Sequence, residues 1–199
     1  MLQVGSMEMR PIEYFKKWFD EELKLTKVRI PTACCLSTIG TDGFPNARFV
    51  SLKEVIENNF IVTGPFTSRK GIEIATVNKV ALTFWWTHTE RQVRIQGNAV
   101  RISGKQADKY FAERNRESQI VSIVSEQGLE ITHLETLDKK YRDLESLLAN
   151  KPLTRPENWG GFSIEPLRIE FLEFKTSRFH DRRLYELVDG QWTIRQLQP

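Results

Sequence analysis

Near the end of the chain, Ser177-Arg178-Phe179-His180-Asp181-Arg182-Arg183 puts three arginines and one of only three histidines into seven residues. Apolar, strand-like sequence flanks the run, IEFLEF before it and LYELV after it. A strand continuing through it would alternate its side chains, which predicts Arg178, His180 and Arg182 on one face, about 6–7 Å from one to the next. Such a row is repulsive unless something negative lies against it, so the chemistry it suggests is anion recognition. Four more clusters have the same character: Arg48…Lys53 in ARFVSLK, Ser68-Arg69-Lys70 in TSRKG, Arg91-Gln92 in ERQVRIQG, and Arg114…Ser118 in YFAERNRESQ. Arg69 and Lys70 open a predicted helix, where the backbone is already partly positive and basic side chains are misplaced. A phosphate docked there would offset the cost. Two solvated cations on a surface turn account for the same residues equally well.

Other chemistries find no support. His88, His133, His180, Cys34 and Cys35 form no metal-ligand spacing, so no metal is expected. G-x-S-x-G, the phosphate-binding loop of nucleotidases and G-x-G-x-x-G are all missing, and Gly160-Gly161 is too short for a dinucleotide fingerprint. The 29 basic and 26 acidic residues leave a net charge of +3. Lys175, Arg178, Arg182 and Arg183 against Asp181 supply an equal excess within 175–183, so the imbalance is local. That argues against a nucleic-acid-coating surface and for a small anionic ligand. Cys34 and Cys35 are adjacent in an apolar run and read as reduced core residues, which fits a cytoplasmic setting. No apolar window approaches the ~18 residues of a membrane span.

These clusters must be positioned by short strands and a few helices. Pro11–Lys24 has apolar residues at helical spacing, with proline suited to the first turn. ACCLSTI, NARFVSLKEVI and FIVT read as three strands, punctuated by TDGFP and Glu57-Asn58-Asn59. Ser68–Asn78 reads as a short helix with Ser68 at its N-cap; VALTFWW and RQVRIQGNAVRI follow as strands. Capping-box patterns at Ser103–Gln106 and Thr132–Glu135 each open a helix, the second with Leu134, Leu137, Tyr141, Leu144 and Leu148 on one stripe. GFSIEP, RIEFLEF, RRLYELV and QWTIRQL close the chain as strands, the last two joined at Asp189-Gly190. Seven or eight short strands without strict βαβ alternation predict a mainly β (α+β) fold, an antiparallel barrel with peripheral helices. Residues 1–10 are expected to be a disordered start or a cloning scar, and 11–199 one domain. Arg48 and Lys53 differ by an odd number, so serving adjacent sites requires a bulge or a strand end between them.

Seven pieces in order, RFVSLK (48–53), SRKG (68–71), ERQVRI-G (90–97), YF--R---SQ (110–119), RPENWGGF (155–162), IEF (169–171) and R-HDR (178–182), resemble the pyridoxamine/pyridoxine 5′-phosphate oxidases. The resemblance runs from about residue 11 to Pro199 and implies an antiparallel split barrel that binds FMN. It implies flavin contacts from Arg48, Phe49, Val50, Ser51, Leu52, Lys53, Val62, Thr63, Arg69, Lys70, Gln92, Gln127, Trp159 and Arg182. Lys53, Tyr110, Arg114 and Ser118 match the positions that grip the substrate phosphate, and Arg178 and His180 those lying against the pyridine ring. The reaction implied is hydride transfer from a phosphorylated B6 vitamer to FMN, with O2 as acceptor, in a homodimer carrying the flavin at its interface. Taken alone, Tyr110 reads as core or rim, and Trp159 as a plug of the barrel.

Several positions depart from the family pattern. Val62-Thr63-Gly64-Pro65-Phe66 replaces its usual tyrosine-threonine-asparagine run, Gly128 a serine, Leu172-Glu173-Phe174 a tryptophan-glutamine-glycine, and Phe179 a leucine. Losing one hydroxyl removes about 0.5–1.5 kcal/mol of hydrogen bonding, which weakens flavin binding without abolishing it. A split-barrel flavin enzyme with another substrate, or a protein holding FMN or pyridoxal phosphate without turnover, are the competing readings.

Overall fold

Strand β2 (Ala33–Ile39) buries every second residue, Cys34, Leu36 and Thr38, and this two-residue period recurs along most of the sheet. In a computed structural model, which describes residues 2–3, 10–149 and 151–199, such strands wrap into a closed barrel. The elements in chain order are β1 (Leu2–Gln3), α1 (Pro11–Leu25), β2, β3 (Pro45–Ile56), β4 (Asn59–Pro65), α2 (Arg69–Thr76), β5 (Lys79–Trp86) and β6 (Arg91–Arg101). They continue as α3 (Gly104–Ala112), α4 (Arg116–Val124), α5 (Glu135–Leu147), β7 (Trp159–Glu173), β8 (Asp181–Val188) and β9 (Gln191–Gln196). The sheet order is β1-β9-β8-β7-β4-β3-β2-β5-β6, all pairings are antiparallel, and β6 returns to β7 to close the ring. Leu2–Gln3 pairs with β9; the rest of the expected disordered start lies outside the described residues, save Arg10 at the N-cap of α1.

The hairpin signals are built as expected. Glu57 (φ 48°) with Asn58 (φ 71°), and Asp189 (φ 49°) with Gly190 (φ 77°), form two-residue turns whose positive dihedrals match the twist of their strands. The Ser103–Gln106 box makes both of its hydrogen bonds at the start of α3. Cys34 and Cys35 are free thiols, Cys34 buried and raised to about 12 by burial and then by Cys35.

Three expectations are corrected and one helix is added. The Thr132–Glu135 box is not made: the first turn of α5 bonds to the carbonyls of His133 and Leu134, leaving Thr132 outside, and α5 buries none of its residues. The region 116–124 is a helix of its own, α4, capped by Asn115, whose side-chain oxygen accepts from Ser118 N–H at 2.8 Å. GFSIEP and RIEFLEF are one strand, β7, which passes Pro166 by a bulge: Gly97 pairs with Pro166 and Gln96 with Arg168, leaving Leu167 extra. Finally, SRFHDRR is not a continuous strand. Strand β7 ends at Glu173 and β8 begins at Asp181, and Arg178 N–H closes a turn on Lys175 C=O at 3.0 Å with Arg178 at φ 67°. Arg178, His180 and Arg182 therefore do not share a pleated face.

The core has two parts. Ile12, Phe15 and Trp18 of α1 enter the larger one, where Phe15 meets Phe60 edge-on at 4.9 Å and Trp18 meets Phe171 at 5.2 Å. Ile61, Ile102, Ala107, Tyr110, Phe111 and Trp159 form the smaller one beneath α3. Helix α1 is also anchored by charge. Buried Glu22 accepts from Thr89 N–H at 3.0 Å and Thr89 Oγ1 at 2.9 Å, with His88 Nδ1 at 3.2 Å. The helix thereby holds the turn between β5 and β6. No helix among the described residues is long and apolar enough to cross a membrane.

Candidate active site

The clearest constellation sits where β3 and β4 meet the start of α2. Arg48 leaves β3 on its inward side, donates to Thr38 Oγ1, and reaches Glu73 Oε2 at 2.8 Å. Arg69 reaches the other Glu73 oxygen at 3.0 Å and Asp42 at 3.4 Å. Thr38 at 2.5 Å and Asn46 at 2.6 Å complete the shell of that carboxylate. Burial alone would raise Glu73, but the bonds from Thr38, Arg69 and Arg48 outweigh it and hold the carboxyl below its usual range. Sequence reasoning missed Glu73, although its position four residues after Arg69 on one helix was a legible signal.

Lys70 lies beside this pair and is served differently. Only 9% exposed, its ammonium donates to Ser68 Oγ at 3.1 Å and Gln127 Oε1 at 2.7 Å, both neutral. Among the described residues no carboxylate lies within ion-pair distance of it. Burial, then the nearby Arg48 charge, lowers Lys70 to about 8. Ser68 is the N-cap residue by position, but its hydroxyl donates to Pro65 C=O at 2.6 Å and caps nothing.

A second group gathers on the other side of a strand irregularity. Leu52 pairs with Val62 and Glu54 with Ile61, so Lys53 is the extra residue of a β-bulge. The parity conflict between Arg48 and Lys53 is resolved there. Lys53 pairs with Glu113 at 3.0 Å and lies 5.6 Å from the centre of the Tyr110 ring. Tyr110 is buried and donates to Glu54; burial first and that carboxylate second raise its phenol. The Arg114 guanidinium covers the Trp159 ring at 5.1 Å and donates to Ser118 C=O at 3.3 Å, while its buried Nε finds no partner among the described residues. Burial lowers Arg114. A cationic nitrogen buried this way marks a place suited to an anion. Trp159 is 2% exposed and packs edge-on against Phe111 at 5.2 Å, so its indole walls this group off from the core.

The remaining residues form a third group at the β6–β7–β8 end. Cross-strand register puts Gln92, Leu172 and Arg182 in one row, and Arg182 pairs with Glu170 at 2.9 Å. His180 accepts Lys175 N–H on Nδ1 at 3.0 Å, and Arg178 is exposed beside it. No hydrogen bond or ion pair among the described residues joins this group to the first two. Of the other anticipated flavin contacts, Phe49 and Ser51 face outward, Val50 and Thr63 are half-buried, and the Leu52 and Val62 side chains belong to the core. A concavity of about 570 Å³ elsewhere on the barrel contains none of these cations. It lies between β2, β5 and β6 and the Leu167–Arg168 and Glu186–Val188 segments, and does not mark the site.

Residues 19–146 match the family model described as pyridoxamine 5′-phosphate oxidase, and residues 159–199 the pyridoxine 5′-phosphate oxidase C-terminal dimerisation region. The chain belongs to the pyridoxamine 5′-phosphate oxidase family. Among its relatives in that family is the pyridoxine/pyridoxamine 5′-phosphate oxidase of Legionella pneumophila (strain Paris), 41% identical over 198 residues and covering 100% of this chain and 92% of the relative. The enzyme of the same name from Acaryochloris marina is 38% identical over 189 residues, 95% of this chain and 86% of its own. Among solved structures, PhzG from Burkholderia lata, in complex with tetrahydrophenazine-1-carboxylic acid, superposes with a TM-score of 0.91 at 29% identity, covering 98% and 95% of the two chains. A pyridoxamine 5′-phosphate oxidase-related, FMN binding protein from Nostoc punctiforme, at 16% identity and TM-score 0.79 over 97% and 100%, shares the fold.

The cofactor of this oxidase family is FMN, and the residues present fit it. Arg48 and Arg69 meet at Glu73, with Asp42 at the rim, and Lys70 beside them has only neutral partners. A phosphate dianion at the start of α2 would supply the missing counter-charge and would meet the free N–H groups of the helix.

Proposed function

We propose that the chain oxidises pyridoxine 5′-phosphate and pyridoxamine 5′-phosphate to pyridoxal 5′-phosphate, in a homodimer with FMN at the subunit interface. The observation that carries this reading is the presence of two separate cationic groups, each suited to one phosphate. Arg48, Arg69 and Lys70 would hold the flavin phosphate, and Lys53, Tyr110, Arg114 and Ser118 that of the substrate. When bound, FMN supplies the redox chemistry, accepting a hydride from the carbon that bears the alcohol or amine and passing the electrons to O2 as hydrogen peroxide. The alcohol route needs nothing more; the amine route also consumes water and releases ammonia.

The residues of the chain bind, orient and move protons. Lys53 is held at 3.0 Å by Glu113 and has to exchange that carboxylate for the substrate phosphate. The orphaned Nε of Arg114 gives the phosphate a second donor. Gln92 and Arg182 would meet the flavin, and Arg178 and His180 would lie over the pyridine ring and steer proton loss from its hydroxyl or amine. Arg178 and His180 lie between β7 and β8, inside the C-terminal dimerisation match, which supports their acting across a subunit interface. Two free cysteines support a cytoplasmic setting.

The PhzG likeness makes a phosphate-free carboxylate substrate the competing class, and the Lys53–Arg114 group favours the phosphate ester. The test is direct: record the visible spectrum of the purified protein, add either phosphorylated vitamer in air, and follow aldehyde and peroxide. A yellow protein that yields no aldehyde from either overturns the reading. Arg178→Ala should lower kcat at least tenfold with flavin content intact, whereas Arg69→Ala should chiefly weaken FMN binding. Loss of flavin from Arg178→Ala with normal turnover after flavin addition would reverse that division of labour.

A further inference from the structure

The segment between β7 and β8 is held by its own backbone around His180. Phe174 N–H donates to Glu90 C=O at 3.0 Å, which ties the segment to the β5–β6 turn. Lys175 then acts through both main-chain groups, its N–H donating to His180 Nδ1 at 3.0 Å and its C=O accepting Arg178 N–H at 3.0 Å. The Lys175 ammonium pairs with Glu173 at 2.5 Å. Because Nδ1 is an acceptor here, the neutral ring carries its proton on Nε2, the nitrogen pointing away from the turn.

One hydrogen bond fixes a position on the ring but not its plane. Against the ring lies Phe174, whose ring centre is 4.9 Å from that of His180 at 56°. Phe174 is in turn met edge-on by Trp85, at 5.1 Å and 90°. Trp85 is more than half exposed and contributes nothing to either core cluster, so its apolar surface is spent on this contact. We propose that Phe174, backed by Trp85, is a positioning residue that locks the plane of His180 so that Nε2–H is presented to the substrate. The proposal rests on the reading of His180 as a substrate contact.

The test compares the flavin-loaded wild type with Phe174→Ala, Phe174→Leu, Phe174→Tyr, His180→Ala and the Phe174→Ala/His180→Ala double variant, using pyridoxine 5′-phosphate. Phe174→Ala is expected to lower kcat by about tenfold with flavin content unchanged, since small losses of orientation are costly in rate. Phe174→Tyr, which keeps the ring, should restore most of it. His180→Ala should lose more, and adding Phe174→Ala to it should cost nothing further, because a residue acting only through His180 has nothing left to act on. If the Ala variant folds poorly, Phe174→Leu keeps the apolar volume and carries the same comparison. Long-range proton–nitrogen NMR of the flavin-loaded protein should find Nδ1 of His180 as the acceptor in wild type and Phe174→Ala alike, with the ring resonances broadened by exchange only in the variant. Full kcat in Phe174→Ala beside an impaired His180→Ala, or a double variant that loses both factors, overturns the clamp and leaves the function standing. Full kcat in His180→Ala, or no product from the wild type, overturns the substrate reading and the clamp with it.

Discussion

Lys70 has the least settled charge of the candidate site, and its protonation makes a measurable claim. Burial and Arg48 bring it from an ordinary 10.5 down to about 8. Between those values the unfolded chain binds the proton more tightly than the folded one, so the flavin-free protein should gain stability as pH rises through that window. Flavin binding should run the other way, because a phosphate dianion needs the ammonium. Above pH about 8, FMN affinity should fall by up to tenfold per unit, a slope that fluorescence titration reads directly. Lys70→Arg, which stays charged, should flatten the slope, and Lys70→Met should bind weakly at every pH. A steep slope surviving in Lys70→Met would assign the titration to another group. The cations of this site were legible because basic residues at a helix start are costly alone. Their carboxylate partners were less so: Glu73 needed the helix period, and Glu113 and Glu54 needed the fold, because nothing in the sequence pairs them with Lys53 and Tyr110.

At the level of elements, strand alternation, the two-residue turns and one of two capping boxes could be read directly, since each depends on neighbours within four residues. The parity of Arg48 and Lys53 called for a bulge or a strand end between them without saying which, and the Leu167 bulge and the end of β7 could not be read. Each is settled by a partner strand, which for the Leu167 bulge is β6, far earlier in the chain. The β7 bulge depends on Gly97. A Cβ there would strike the carbonyl oxygen of Glu165 and come within 3.0 Å of Pro166 Cα, both main-chain atoms that cannot step aside cheaply. Gly97→Ala should therefore cost about 1–3 kcal/mol in urea unfolding. Gly190 makes the contrast: it has φ 77° but open space around it, so Gly190→Ala should cost only its left-handed strain, about 1 kcal/mol. Equal costs at the two positions would mean that the β6–β7 closure tolerates spreading.

The whole molecule is a ring of six strands closed by β6 on β7, with β8 and β9 extending one side. An antiparallel barrel with peripheral helices was readable from turn spacing, though nine strands form among the described residues where seven or eight were expected. Which strands close the ring was not readable, because no local signal says which strands meet last. The functional groups fall at separate stations around this ring, and the dimerisation match at 159–199 covers the strands that carry the third of them. Sedimentation of the purified protein should give a mass near twice 23.2 kDa, and a monomer at micromolar concentration would contradict the shared site. The buried Glu22 has a consequence in time. Its partners lie 66 and 67 positions along the chain, so they can be met only after the slow search that brings distant segments together. Until they are, the bend at His88 and Thr89 is held only by the Trp86–Arg91 end of its hairpin, and Glu90 offers Phe174 a looser anchor. A refolding population given flavin from the start should therefore regain native tryptophan emission before it regains turnover, with Glu22→Gln widening the delay.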